Sequence, residues 1–156
     1  MTDVLVTLPA LTINAGPTEV DWPARFKEEL RAVIALVRQN KQRDEEWFTV
    51  TPESNGLRWN GRCWSYFKGL RYEVNFEIII GVGYPTAPLE ILVPDLEGRT
   101  VKMYRGGRIC TDSHFEPAWQ RNAPRFGVAH GLALGLAPWL AVEIPLLADA
   151  GVIAPR

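Results

Sequence analysis

The residues able to do chemistry concentrate in one stretch, Thr100 to Trp119, which reads TVKMYRGGRICTDSHFEPAW. It holds Cys110, one of two cysteines in the chain, behind three cations (Lys102, Arg105, Arg108) and a paired glycine (Gly106, Gly107), with His114 just after it. A thiolate is the strong nucleophile available here, and nearby cations lower a thiol's pKa by stabilising its charged form. The chemistry this supports is covalent: Cys110 attacks a carbonyl and carries an acyl group. The stretch has neither helical period nor strict alternation, so it is a loop, and irregular backbone can aim a side chain where a regular element cannot. The plain alternative is a small buried hydrophobe, since free cysteine is among the most buried residue types. That alternative holds for Cys63, which lies in an aromatic-rich run; for Cys110 the glycines, cations and polar followers favour a reactive thiol.

Other chemistries find less support. Cysteines and histidines at 63, 110, 114 and 130 lack the close paired spacing of a zinc site, so no metal is expected. A Cys–His hydrolase would pair Cys110 with His130 or His114. His130 falls in an apolar helical run, where a satisfied core histidine is the common outcome, His114 is placed to orient the loop, and no third orienting residue presents itself. Gly106-Gly107 is followed by no Walker-type lysine, so it is a turn rather than a phosphate loop.

The elements that must position the loop come before and after it. Residues 1–17 end in Asn14-Ala15-Gly16-Pro17, a turn-rich stop, and form an arm or short extra element; residues 18–156 form one domain. The spacing of Trp22, Phe26, Leu30, Val33, Ile34 and Val37 predicts an amphipathic helix, capped by Thr18 or Asp21 and with Pro23 in its first turn. Arg25, Lys27, Glu28, Glu29, Arg31 and Arg38 fall on its other face, most of which is read as solvated. Four β-prone runs follow: Trp47–Val50; Leu57–Phe67, with Asn60-Gly61 as a bulge or hairpin turn; Leu70–Ile80, alternating cleanly; and Leu89–Val93. Short connections make them an antiparallel meander, and Tyr84-Pro85 before the last run is a candidate cis bond. After the loop, helices are expected over Gly127–Ala137 and Pro138–Ala150, with Trp119 anchoring the loop by burial. The fold class is α+β, helices packed against an antiparallel sheet.

At 156 residues, 47% hydrophobic and 22% charged, the chain is long enough to bury a core without staples. Its net charge of −1 argues against an electrostatically driven nucleic-acid binder. No signal peptide and no unbroken membrane-length apolar run is read, Leu132–Leu147 being cut by Pro138, Glu143 and Pro145. Two distant cysteines fit free thiols in a reducing compartment, the cytoplasm first and the nucleus second.

A cysteine after a four-strand meander, with a Tyr-Pro-x-x-Pro turn at Tyr84–Pro88, resembles the ubiquitin-conjugating enzyme fold. Ordinary members carry a His-Pro-Asn triplet ahead of the cysteine, its asparagine stabilising the oxyanion or shaping the loop. Here the corresponding stretch is Thr100-Val101-Lys102, and the sequence is similar to the branch that conjugates the ubiquitin-fold modifier, which has Thr-Ala-Lys there. NAGP (Asn14 to Pro17), WFTV, the Arg58–Trp64 run RWNGRCW, KMYRGGRIC and FGVAHGLALGLAPWLAVEIP look like that family's segments.

The resemblance implies a compact conjugating-enzyme-like fold without the usual last two helices. It implies that Cys110 accepts the modifier from its activating enzyme as a thioester and, with a ligase, passes it to a target lysine, using no bound cofactor. Thr100, Val101 and Lys102 would then support the thiol, Lys102 by electrostatics or by holding the loop, with Tyr104 and His114 as further supporting positions. Two departures stand out: Val101 replaces alanine and is expected to stiffen or crowd the loop, and Thr111-Asp112-Ser113-His114 moves the acid one position from the histidine. The rival reading is a binding module of the same fold whose cysteine is idle.

Overall fold

The computed structural model describes residues 8–111 and 113–156; residues 1–7 of the N-terminal extension and Asp112 of the post-cysteine departure lie outside the described residues. Helix α1 (Trp22–Gln42) is followed by strands β1 (Phe48–Pro52), β2 (Arg58–Phe67), β3 (Leu70–Ile79) and β4 (Glu90–Leu92). They pair antiparallel in the order β1-β2-β3-β4, the expected meander. Its registers follow from its turns. Lys68 and Gly69 both take positive φ (52° and 76°), the two-residue loop whose twist matches that of the strands it joins. In β3, Tyr72, Val74, Phe76 and Ile78 point inward by simple alternation. Asn60-Gly61 is neither bulge nor turn: Gly61 lies in register between Val50 and Phe76 in mid-strand. The Tyr84-Pro85 bond is cis, as is Ala123-Pro124.

Helix α2 (Phe115–Asn122) follows the cysteine loop and went unseen in the sequence, because two apolar positions one turn apart, Phe115 and Trp119, are too few to show a period. Beyond it the two expected helices are one. Helix α3 (Val128–Gly131) runs through a π-helical segment, Leu132–Leu136, into α4 (Ala137–Asp149). Pro138 does not break the run, because it enters in the first turn after the wider π segment, where its missing N–H is tolerated. Val128–Asp149 is long and apolar enough to cross a bilayer by length and composition. Here Leu132, Leu136, Leu140 and Ile144 serve the core, buried with Trp59, Phe76 and Ile78. Each such side chain contributes about 1.5–3 kcal/mol.

The wet face assigned to α1 needs correcting. Arg25 and Glu29 are 0% and 1% exposed, while Ile34, placed on the apolar face, is half exposed. Arg25 Nε donates to Glu29 Oε2 at 2.9 Å, and its Nη atoms donate to the carbonyls of Ile13 (2.9 Å), Pro124 (2.6 Å) and Phe126 (2.7 Å). Glu29 also accepts from the Tyr84 hydroxyl at 2.5 Å and from the Val128 N–H at 2.8 Å. Three orphan carbonyls outside regular structure and the first N–H of α3 are thereby satisfied at one point, which propensity along α1 cannot reveal. Burial pushes the Glu29 carboxyl up, against the pull of Arg25, Tyr84 and Val128. Gly127 is required beside it, since a Cβ there would stand 2.2 Å from Glu29 Oε1.

Residues 8–17 lie against the domain. Leu8, Leu11 and Ala15 are buried, and Glu28 accepts hydrogen bonds from the Thr12 and Ile13 N–H groups and the Thr12 hydroxyl. Burial raises the Glu28 carboxyl, but these bonds and the Arg25 charge together outweigh it and hold it below its ordinary value. Asp21 stands at the head of α1 without a side-chain cap, and Pro23 occupies the first turn as expected. His130 is the satisfied core histidine foreseen: its Nδ1 accepts from Gly127 N–H at 3.1 Å, and its ring stacks on Phe126 at 4.4 Å.

Two outcomes follow. Arg25→Met leaves the Glu29 carboxylate buried without its ion and should cost about 3–5 kcal/mol in denaturant unfolding. Burial, with the Arg25 charge, pushes the His130 imidazole down to about 4 from 6.5. The unfolded chain therefore takes up a proton that the folded chain refuses, and stability falls as pH drops from about 6.5 to about 4. The loss reaches up to about 3 kcal/mol, then levels off. His130→Gln should flatten that part of the pH–stability curve.

Candidate functional site

Cys110 is carried by a ribbon laid along β4. After the 3₁₀ turn Pro94–Leu96 the chain swings out, and Met103 and Ile109 form an antiparallel bridge, as do Leu92 and Arg108. Val93 N–H donates to Gly107 O (2.8 Å) and Ile109 N–H to Ile91 O (2.9 Å), so the return limb is held as an added edge of the sheet. Gly106 and Gly107, with φ of 84° and 85°, make the reversal that residues bearing a Cβ rarely adopt. Glu97 secures it by accepting from Gly106 N–H at 2.8 Å. Tyr104 N–H donates to Arg108 O (2.7 Å) and Cys110 N–H to Lys102 O (2.9 Å), which closes the ribbon one residue before the loop opens.

The thiol is partly exposed at the end of this ribbon. Its sulfur lies 3.7 Å from the Tyr104 hydroxyl and 3.9 Å from Thr111 O. The hydrogen bond to Cys110, then the thiolate's charge, raise the Tyr104 hydroxyl above its ordinary value. The Arg108 guanidinium stacks over the Tyr104 ring at 4.3 Å, so that cation supports the tyrosine that touches the sulfur.

Two depressions flank the loop and share Thr111. One, of about 170 Å³, has Cys110 and Lys102 on one side and Pro138, Trp139, Val142 and Glu143 of α4 on the other. The second, of about 510 Å³, includes Tyr104, Arg108, Ser113 and Glu116 but not Cys110.

The positions named from sequence separate accordingly. Cys110, Lys102 and Tyr104 converge: two share the smaller cleft and the third touches the sulfur. Thr100 lies under them, donating its hydroxyl proton to Glu143 Oε1 and accepting from Lys102 N–H at 3.3 Å. Val101 does not crowd the loop. It is 94% exposed, so its added bulk meets solvent. His114 stands at the exposed N-terminus of α2 and lines neither depression, while His130 is spent in the core. Trp119 is fully buried and donates to Pro85 O at 2.8 Å, which anchors α2 and with it the far end of the loop.

Three residues of the site were missed in the sequence: Glu97, Trp139 and Glu143. Trp139 Nε1 donates to Lys102 O at 3.0 Å, and Glu143 is 2% exposed. The signal for Glu143 was present. It falls in the helical spacing of Leu136, Leu140, Ile144 and Leu147, so it was a carboxylate on a buried face rather than an interruption.

The model of a family described as Ubiquitin-fold modifier-conjugating enzyme 1 matches residues 1–154. Relatives of that same description are similar along nearly their whole length. One from Brugia malayi is 50% identical over 153 residues, covering 97% of this chain and 93% of the relative. One from Monosiga brevicollis is 50% identical over 150 residues (96% and 90%), and one from Drosophila virilis 52% over 150 (96% and 91%). A match of this extent takes in the meander, the ribbon that carries Cys110 and the helix that faces it, and the chain therefore belongs to the ubiquitin-fold modifier-conjugating enzyme family.

Proposed function

We propose that this protein relays a ubiquitin-like modifier through Cys110. The thiolate attacks the carbonyl of the modifier's C-terminal residue, held as a thioester by an activating enzyme, and expels that enzyme's thiolate. A lysine ε-amine of the target then attacks the new thioester; the tetrahedral intermediate collapses, Cys110 leaves as thiolate, and the amine's proton passes to solvent. The exchange is near isoenergetic, so the site needs orientation more than activation, and a ligase would supply further positioning of the target.

The observation that carries this reading is the placement of the sulfur. Cys110 is partly exposed on a ribbon braced from both sides, and it lines the smaller of the two depressions beside the loop. An acyl carrier needs a sulfur that the donor's thioester can reach first and the acceptor amine can reach after it. Lys102 supports the site twice in this reading: its carbonyl holds the Cys110 N–H, and the residue lines the cleft beside Cys110, from which an ammonium can meet the negative charge that develops on the thioester oxygen. A hydrolase pairing with His130 is disfavoured because that imidazole is engaged by Gly127 and Phe126.

Incubation with the modifier, its activating enzyme and ATP should give an adduct that thiol reductant removes. Cys110→Ala should give none, and Cys110→Ser one that resists reductant but not base. A reductant-sensitive adduct on Cys110→Ser, or none on wild type, would overturn the assignment; partner binding without any adduct would favour the idle-cysteine module. Because Lys102 is exposed, Lys102→Ala should change stability by less than about 0.5 kcal/mol while slowing discharge to lysine by about tenfold or more. Parallel losses of melting temperature and rate would count against its role.

A further inference from the structure

Among the described residues, four buried polar or charged side chains stand out: Arg25, Glu29, His130 and Glu143. The first three belong to the core at the head of α3. Glu143 does not. One of its oxygens accepts from Thr100, and the other, Oε2, is buried with no hydrogen-bond partner among the described residues. An unsatisfied carboxylate oxygen costs stability, and an apolar side chain of like volume would pack at that position without the cost. The fold alone does not account for it, and it borders the cleft that holds Cys110.

Its contact leads straight to the thiol. Thr100 gives its one hydroxyl proton to Glu143 and takes the Lys102 N–H on the same oxygen. Such a relay is polarised by the charge at its end. One turn earlier on α4, Trp139 holds the Lys102 carbonyl, the same atom that accepts from Cys110 N–H. Residues four apart on a helix share a face. Glu143 and Trp139 thus grip the 100–102 segment at two points, and that segment grips the cysteine.

We infer that Glu143 is a positioning residue for acyl transfer: through Thr100 it latches the segment carrying Lys102 to α4 and so sets where the Cys110 thioester lies. This rests on the transfer reading proposed above.

The test is single-turnover discharge of preloaded protein onto free lysine. Glu143→Met removes the acceptor and keeps the volume; Thr100→Val removes the donor from a half-buried residue and leaves the core untouched. Each should slow discharge at saturating lysine by about tenfold, with the half-saturating lysine concentration unchanged. The double variant should be no slower than either single one. Glu143→Gln, which keeps an oxygen for Thr100, should stay within about threefold of wild type. Glu143→Met should also melt no lower than wild type, because the unpaired oxygen is gone. Additive losses, a wild-type rate in Thr100→Val, or a Glu143→Gln as slow as Glu143→Met would overturn the latch. Wild type that accepts no modifier would refute the transfer reading itself; wild type that loads and discharges beside unaffected variants would refute only the latch.

Discussion

The structure depends on one buried ion pair. Arg25 and Glu29 sit one turn apart on α1, sealed from water, and between them bind Ile13, Tyr84, Pro124, Phe126 and Val128. Burying two charges carries a desolvation penalty that their mutual attraction only partly offsets. What the pair provides is register. Segments far apart in sequence must arrive together or leave charges and carbonyls unpaired, and that restricts the packings open to the chain. A line of aromatic contacts, Trp22 to Tyr84 to Trp119 to Phe126, extends the same junction from α1 to α2.

That junction reaches the cysteine indirectly. It fixes where α3 begins, and because α3, the π segment and α4 are one continuous helix, it also fixes where Trp139 and Glu143 emerge. On the other side, Ile91 of β4 and Val93 just beyond it hold the return limb of the ribbon. The loop is irregular in backbone but not loose. It is suspended between a sheet edge and a helix face, and Cys110 stands where the two holds meet. Rigid elements bearing a reactive loop suit a reaction whose main demand is geometry.

The position of Val101 takes on a physical meaning in that setting. Val101 lies between two tethered residues, Thr100 and Lys102, with its own side chain in solvent. The backbone is held from either side of it, so a change at that position is absorbed outward. The tethers, rather than the bulk of the residue between them, govern the loop.

From the sequence alone came the elements with strong periodicity, the meander and the branch of the fold. Those depend on alternation along β3, on turn residues and on a run of matching segments. The sequence also separated Cys63 from Cys110 and set His130 in the core, since local composition decides burial there. Tertiary structure decided what the charges do. Arg25 and Glu29 looked solvated because amphipathicity counts charge as exposure, and only the convergence of remote carbonyls turns them inward. Pro138 looked like a break because the π segment ahead of it leaves no local mark. Glu143 and Trp139 belong to the site solely because a helix that begins after Gly127 passes the cysteine loop. Contacts between residues some forty apart follow from packing, and no spacing rule along the chain contains them.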